Sequence, residues 1–215
     1  MTRRSLLVGT SLIAALVALG GAAPLAGLGS AAAQGVPLAE LLVPPALGDR
    51  WVGNDNAPVT VIEYASMTCP HCANFHANVY PELKKRYIDT GKVRFIFREF
   101  PLDPTAAGAS MLARCADKDK FFPLIETLFQ MQQQWAVQRP LPPLLAIARQ
   151  AGFSEQSFNA CLSNQKMLDD LQAELERASK KFGVRSTPTV FVNGKIVRDA
   201  TIDNLAKEID ALLKS

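Results

Sequence analysis

Strand-forming sequence occurs in only two stretches of this chain, and the long gap between them is what most limits the fold. The first stretch opens with Pro58-Val59-Thr60-Val61-Ile62-Glu63-Tyr64, β-branched and mostly apolar, which reads as a buried strand. A helix is expected from about Cys69 to Asp89, bent at Pro81 and stopped by Gly91. Residues 92–100 then alternate sharply and predict a second strand. Strand, helix and strand in that order give parallel pairing through a right-handed crossover. The second stretch is a strand at 187–192, an Asn193-Gly194 hairpin turn and a partner strand at 195–198. Thr201-Ile202-Asp203 opens a last amphipathic helix, with Ile202, Leu205, Ile209 and Leu212 as its apolar side.

Between the two stretches no strand signal occurs. The pattern predicts helices over 105–116, 121–134, 142–151, 154–162 and 166–182, with Ser154 as an N-cap and Gly152 as a stop. The expected architecture is therefore an α/β sheet (β-α-β, then β-β-α) interrupted by an inserted helical domain. Residues 58–103 and 183–215 are its two halves, and 104–182 the insertion. The Pro- and Gly-rich stretch 34–57 reads as a lead-in with a short helix at 37–42.

Residues 1–33 read as an export signal. Arg3-Arg4 supply positive charge, an apolar run covers Leu6 to Ala23, and Ala31-Ala32-Ala33 offers cleavage before Gln34. Thr2-Arg3-Arg4-Ser5-Leu6-Leu7 also resembles a twin-arginine signal; an uncleaved membrane anchor is the alternative. The formal charge is +3, but without Arg3 and Arg4 the 23 basic residues nearly match the 20 acidic ones. A nearly neutral chain has no electrostatic case for nucleic acid.

Export makes disulfide chemistry available to the four cysteines. Cys69-Pro70-His71-Cys72 stands where a strand turns into a helix. The first cysteine of such a pair meets the positive end of the helix dipole and unpaired backbone N–H groups, which favour thiolate. A thiolate attacks disulfides and is also the better leaving group. His71, if protonated, would favour it further, and Pro70 restricts the turn. The bland alternatives are a structural disulfide or half a zinc site. Zinc needs two more ligands at suitable spacing, and only His71 and His76 are histidines, so no metal or other cofactor is expected. Glu63, six residues before Cys69 on the buried strand, is a candidate to relay a proton for Cys72; its alternative is an edge carboxylate in water. His76 reads as a surface histidine of the helix and receives no role. Phe75 and Tyr80 read as core, and Met67 and Thr68 are placed beside a substrate groove by proximity.

The segment Glu63-Tyr64-Ala65-Ser66-Met67-Thr68-Cys69-Pro70-His71-Cys72 resembles the active-site segment of the DsbA family of bacterial thiol:disulfide interchange proteins, which have the thioredoxin fold. The helical insertion, Thr187-Pro188-Thr189-Val190-Phe191-Val192-Asn193-Gly194 and the final helix are similar too, so the likeness spans residues 50–215. It implies a strongly oxidising Cys69–Cys72 pair, a proton-relaying Glu63, and a cis-proline loop at Thr187-Pro188 that holds extended substrate chain. Taken alone, that dipeptide is also compatible with a trans proline opening a strand. Threonine at 187 departs from the valine of the best-known oxidase and is usual in related isomerases. Cys115 and Cys161, in the helical block, resemble the second pair of the alphaproteobacterial branch. In an oxidising compartment a bridge between insertion helices is the simplest reading, and two buried free thiols the other.

The resemblance implies a periplasmic dithiol oxidase acting on newly exported or unfolded proteins with free cysteines, reoxidised by a DsbB-like quinone-linked membrane protein. A disulfide isomerase or reductase is the second expectation. The stretch 34–57 is too short for a dimerisation domain, so a monomer is expected. A metal-carrying or chain-holding module, which would not need Cys69, is the third.

Overall fold

A computed structural model describes residues 35–214. The expected signal at 1–33 and the cleavage site before Gln34 lie outside the described residues. The elements run α1 (Leu38–Leu41), β1 (Arg50–Gly53), β2 (Val59–Ala65), α2 (Pro70–Asn78), α3 (Tyr80–Leu83), a π-helical turn (Lys84–Ile88) and β3 (Val93–Glu99). They continue through α4 (Pro104–Cys115), α5 (Phe121–Gln130), α6 (Gln132–Trp135), α7 (Leu141–Gln150), α8 (Glu155–Leu162) and α9 (Gln165–Lys181). The chain closes with β4 (Thr189–Val192), β5 (Lys195–Val197) and α10 (Ile202–Leu213).

The five strands form one sheet in the order β1-β3-β2-β4-β5. β2 and β3 are parallel; the other pairs are antiparallel. β2 is buried along its whole length, as its Val-Thr-Val-Ile run requires of a central strand with both faces covered. Its residues alternate between faces. Val59, Val61 and Ala65 join Phe95, Phe97, Val190 and Val192 in a core beneath α2, α4, α5 and α10. Ile62, Tyr64, Ile96 and Phe191 join Leu41, Ala178, Phe182 and Val184 on the opposite side. Glu63 therefore points into the first core, between Phe97 on β3 and Val190 on β4 at its own register.

Several expectations need correction. The lead-in, read from the sequence only as a stretch with a short helix, also carries strand β1, antiparallel to β3. It is a short half-exposed edge strand without a β-branched run, so its pattern is weak. The helix expected over 69–89 is three pieces. Val79 breaks it, Pro81 lies in the first turn of α3, and a π-helical turn follows. A proline lacks the N–H that would continue the ladder, so the chain restarts there instead of bending smoothly. The helix expected over 121–134 is likewise interrupted at Met131. Asn193 (φ 43°) and Gly194 (φ 88°) occupy the left-handed region that a tight hairpin of this kind requires.

The insertion is anchored at named points. Asp103 caps α4 by accepting from the Ala106 N–H at 2.8 Å. Ser154 and Ser157 form a reciprocal cap on α8. A disulfide joins Cys115, at the end of α4, to Cys161 on α8, with Cα atoms 6.2 Å apart. The lead-in is held by buried arginines. Arg98 bonds Asp49 and the Tyr64 hydroxyl, and Arg114 bonds Glu99 and the carbonyls of Leu47 and Gly48. Among the described residues no helix is long and apolar enough to cross a membrane.

Candidate active site

β2 ends at Ala65, and the chain turns through Ser66-Met67-Thr68 to deliver Cys69 as the N-cap of α2. Cys69 has extended backbone angles (φ −76°, ψ 119°), and Pro70 occupies the first helical turn, where a missing N–H costs nothing. The turn is pinned from α6 and from the loop before α4. Gln132 donates from Nε2 to the carbonyls of Met67 (2.8 Å) and Cys69 (3.0 Å). The Thr68 hydroxyl donates to Asp103, and the Leu102 N–H to Ser66 Oγ. Met67 is fully buried, so it belongs to the core and not to a surface groove; Thr68 is half-buried.

The two cysteines are free thiols in different surroundings. Cys69 is 6% exposed and Cys72 is sealed. The Cys69 pKa is lowered to about 5. The Cys72 thiol, hydrogen-bonding to it, is the largest cause, opposed by burial. The Thr187 hydroxyl and the N–H groups of Cys72 and His71 in the first helical turn add to the lowering. Cys72 moves the other way. Burial pushes its thiol pKa strongly up, and the charges of Glu63 and Cys69 push it further. One sulfur thus favours the anion and its neighbour the neutral thiol. Pro70 and His71 are exposed beside them.

The Thr187–Pro188 bond is cis. Its loop faces the motif, and the Cys69 thiol donates to the Thr187 carbonyl at 3.3 Å. Thr187 is buried and its hydroxyl has no hydrogen-bond partner among the described residues, which leaves it free to favour the Cys69 anion. Pro188 is half-buried. Thus β2, α2 and the start of β4 bring Glu63, Cys69, Cys72, Thr187 and Pro188 together. Cys115 and Cys161 stand apart, inside the insertion. Among the described residues no cluster of three or more His, Cys, Asp or Glu side chains is arranged to hold a metal.

Glu63 is completely buried, and its Oε2 lies 2.9 Å from His76 Nε2. His76 is therefore not the surface histidine expected from the sequence; its side chain is 3% exposed. The signal was available. Cys72, Phe75 and His76 are one helical turn apart, so His76 shares the face of α2 that carries Cys72 to the sheet. Gln132 left no such signal, because its role depends on how a distant helix docks.

Residues 46–211 match a protein-family profile described as Thioredoxin. A Rickettsia typhi protein provisionally named a protein-disulfide oxidoreductase is 36% identical over 168 residues, 77% of this chain. This chain spans only 62% of that relative's length. The Bacillus subtilis disulfide bond formation protein D is 27% identical over 180 residues, 80% of each chain. The crystal structure of Wolbachia pipientis alpha-DsbA1 superposes with a TM-score of 0.73 at 33% identity, covering 81% of this chain and 95% of that one.

Proposed function

The chain belongs to the thioredoxin family, in its DsbA-like branch, and from that premise we propose that it is a periplasmic oxidase that introduces disulfides into exported proteins. The observation that carries the reading is the opposed pair of sulfurs: Cys69 favours the thiolate at the start of α2, and Cys72 favours the thiol behind it. A stabilised Cys69 thiolate stabilises the reduced enzyme, so the disulfide form is driven to accept electrons.

In the working direction the enzyme begins with Cys69 and Cys72 joined. A substrate thiolate attacks Cys69 Sγ, the Cys69–Cys72 bond breaks, and a mixed disulfide forms at Cys69. The electron pair stays on Cys72 Sγ, which takes a proton, because its buried site disfavours the anion. Glu63, on the strand behind it, is the proton donor in this scheme. A second substrate thiolate then attacks the substrate sulfur of the mixed disulfide and expels Cys69 as thiolate. Two electrons have passed from the substrate dithiol to the cysteine pair. Thr187 and Pro188 sit where an extended substrate segment would lie beside Cys69 and offer it backbone groups. His71 and Pro70 shape the exposed rim. Export by residues 1–33, monomeric function and reoxidation by a DsbB-like quinone-linked membrane protein belong to the same proposal.

A second reading, an isomerase or reductase, is favoured by Thr187, which stands where the best-known oxidase has valine. Disulfide formation in a reduced substrate, the reduction potential, repair of a scrambled substrate and insulin reduction together separate them. The oxidase reading requires oxidised enzyme to form its disulfides stoichiometrically, with a reduction potential above that of glutathione. It fails if only scrambled substrate is repaired and if insulin is reduced rapidly.

A further inference from the structure

Glu63 is sealed from solvent, yet a carboxyl that hands a proton to Cys72 in every turnover must be recharged. Its neighbours in the sheet cannot do this: Phe97 and Val190 occupy its register on β3 and β4. Its hydrogen-bonding partner is His76 Nε2 at 2.9 Å, and Oε1 has none among the described residues. The imidazole is held in place by rings. It stacks on Phe129 at 4.4 Å, lies 5.0 Å from Tyr80, and meets the edges of Phe75 and Phe97. Nδ1, the other ring nitrogen, is itself buried and has no hydrogen-bond partner among the described residues. His76 also lines a cleft of about 760 Å3 between α2, α3 and α5–α6, whose wall includes Pro70.

We propose that His76 is a positioning residue for the Cys72 step: it orients the Glu63 carboxyl and exchanges the proton of that carboxyl with the cleft. The proposal rests on the reading that Glu63 serves Cys72. An imidazole bonded through one nitrogen can take a proton there and release one from the other. When substrate breaks the Cys69–Cys72 bond, Cys72 Sγ takes the Glu63 proton. Glu63 takes the proton on His76 Nε2, and His76 regains one at Nδ1 from the cleft. The reverse step runs the same path outward. No electron moves along this path. The titratable groups facing it are Cys72 from α2, Tyr80 from α3, and Lys84 and Glu126 at the cleft wall. Burial, with the charge of Glu126, holds the Tyr80 hydroxyl protonated, so it does not compete as a base.

The test loads Cys69 with glutathione and follows glutathione release in a single turnover, a step in which Cys72 must give up its proton. Wild type, His76→Gln, Glu63→Gln and the double variant are compared across pH. Losing a proton-transfer group predicts a slowing of about tenfold or more in each single variant, and no further slowing in the double. His76→Gln should also change the shape of the pH profile, whereas a purely structural loss would lower the rate alike at every pH. A wild-type rate and profile in His76→Gln, with Glu63→Gln slow, overturns the proposal and leaves the Glu63 reading intact. A wild-type rate in Glu63→Gln overturns both. If His76→Gln does not fold, 15N spectra of the two histidines in wild type decide the matter. The His76 tautomer or protonation must differ between the disulfide and dithiol forms, and an unchanged imidazole overturns the proposal.

Discussion

Cys69–Cys72 and Cys115–Cys161 use the same element in opposite mechanical settings. Cys69 and Cys72 are one helical turn apart at a helix start, so a bond between them encloses almost no chain. Cys115 and Cys161 are 46 residues apart and tie α4 to α8. A bond across so long a loop removes much of the freedom of the unfolded chain, a contribution of about 4 kcal/mol on the chain-entropy account. Closing the short pair constrains little, and its sulfurs are biased towards separate protonation states. Reactivity here comes from placement at a helix N-terminus, and staying power from the length of chain enclosed.

That contrast can be broken by substitution. The largest effect belongs to Cys69→Ser, which abolishes disulfide transfer to a reduced substrate while leaving the Cys115–Cys161 bridge intact; retained transfer would point to a holding module. Removing the other pair (Cys115→Ala with Cys161→Ala) should cost about 4 kcal/mol in denaturant unfolding and leave the Cys69 thiolate titration in place. A shift in that titration would show that the two pairs communicate. Gln132→Ala strands the carbonyls of Met67 and Cys69, at a cost of about 1 to 3 kcal/mol, and should slow transfer without altering the bridge. The smallest expected change is in Thr187→Val, which removes the group that, after Cys72, most favours the Cys69 anion. Its titration midpoint moves up slightly, and the reduction potential moves down with it.

The two pairs were not equally legible in the sequence. A β-branched strand running into Cys69-Pro70-His71-Cys72 fixes the helix start and, with it, the local field on Cys69. Thr187-Pro188 and Asn193-Gly194 are local signals of the same kind. The contacts of Cys115 and Cys161 depend instead on how α4 and α8 dock, and no local pattern records docking. His76 lies between these cases. Its spacing from Cys72 and the alternation that turns Glu63 inward are both local, and only the packing of α2 on β2 joins them. β1 leaves little trace in the sequence because an edge strand needs only one paired side. Arg50-Trp51-Val52-Gly53 therefore carries little of the pattern that marks β2.

Titrating the thiolate absorbance of the reduced protein against pH tests the account most directly. The lowered Cys69 pKa means that thiolate stabilisation of the reduced form is complete above the ordinary thiol range and is lost as pH falls through about 5. One thiolate should titrate near pH 5 and be absent from Cys69→Ser, with Cys72 still a thiol well above neutrality. A Cys69 that stays protonated until the pH range of a free thiol would contradict it.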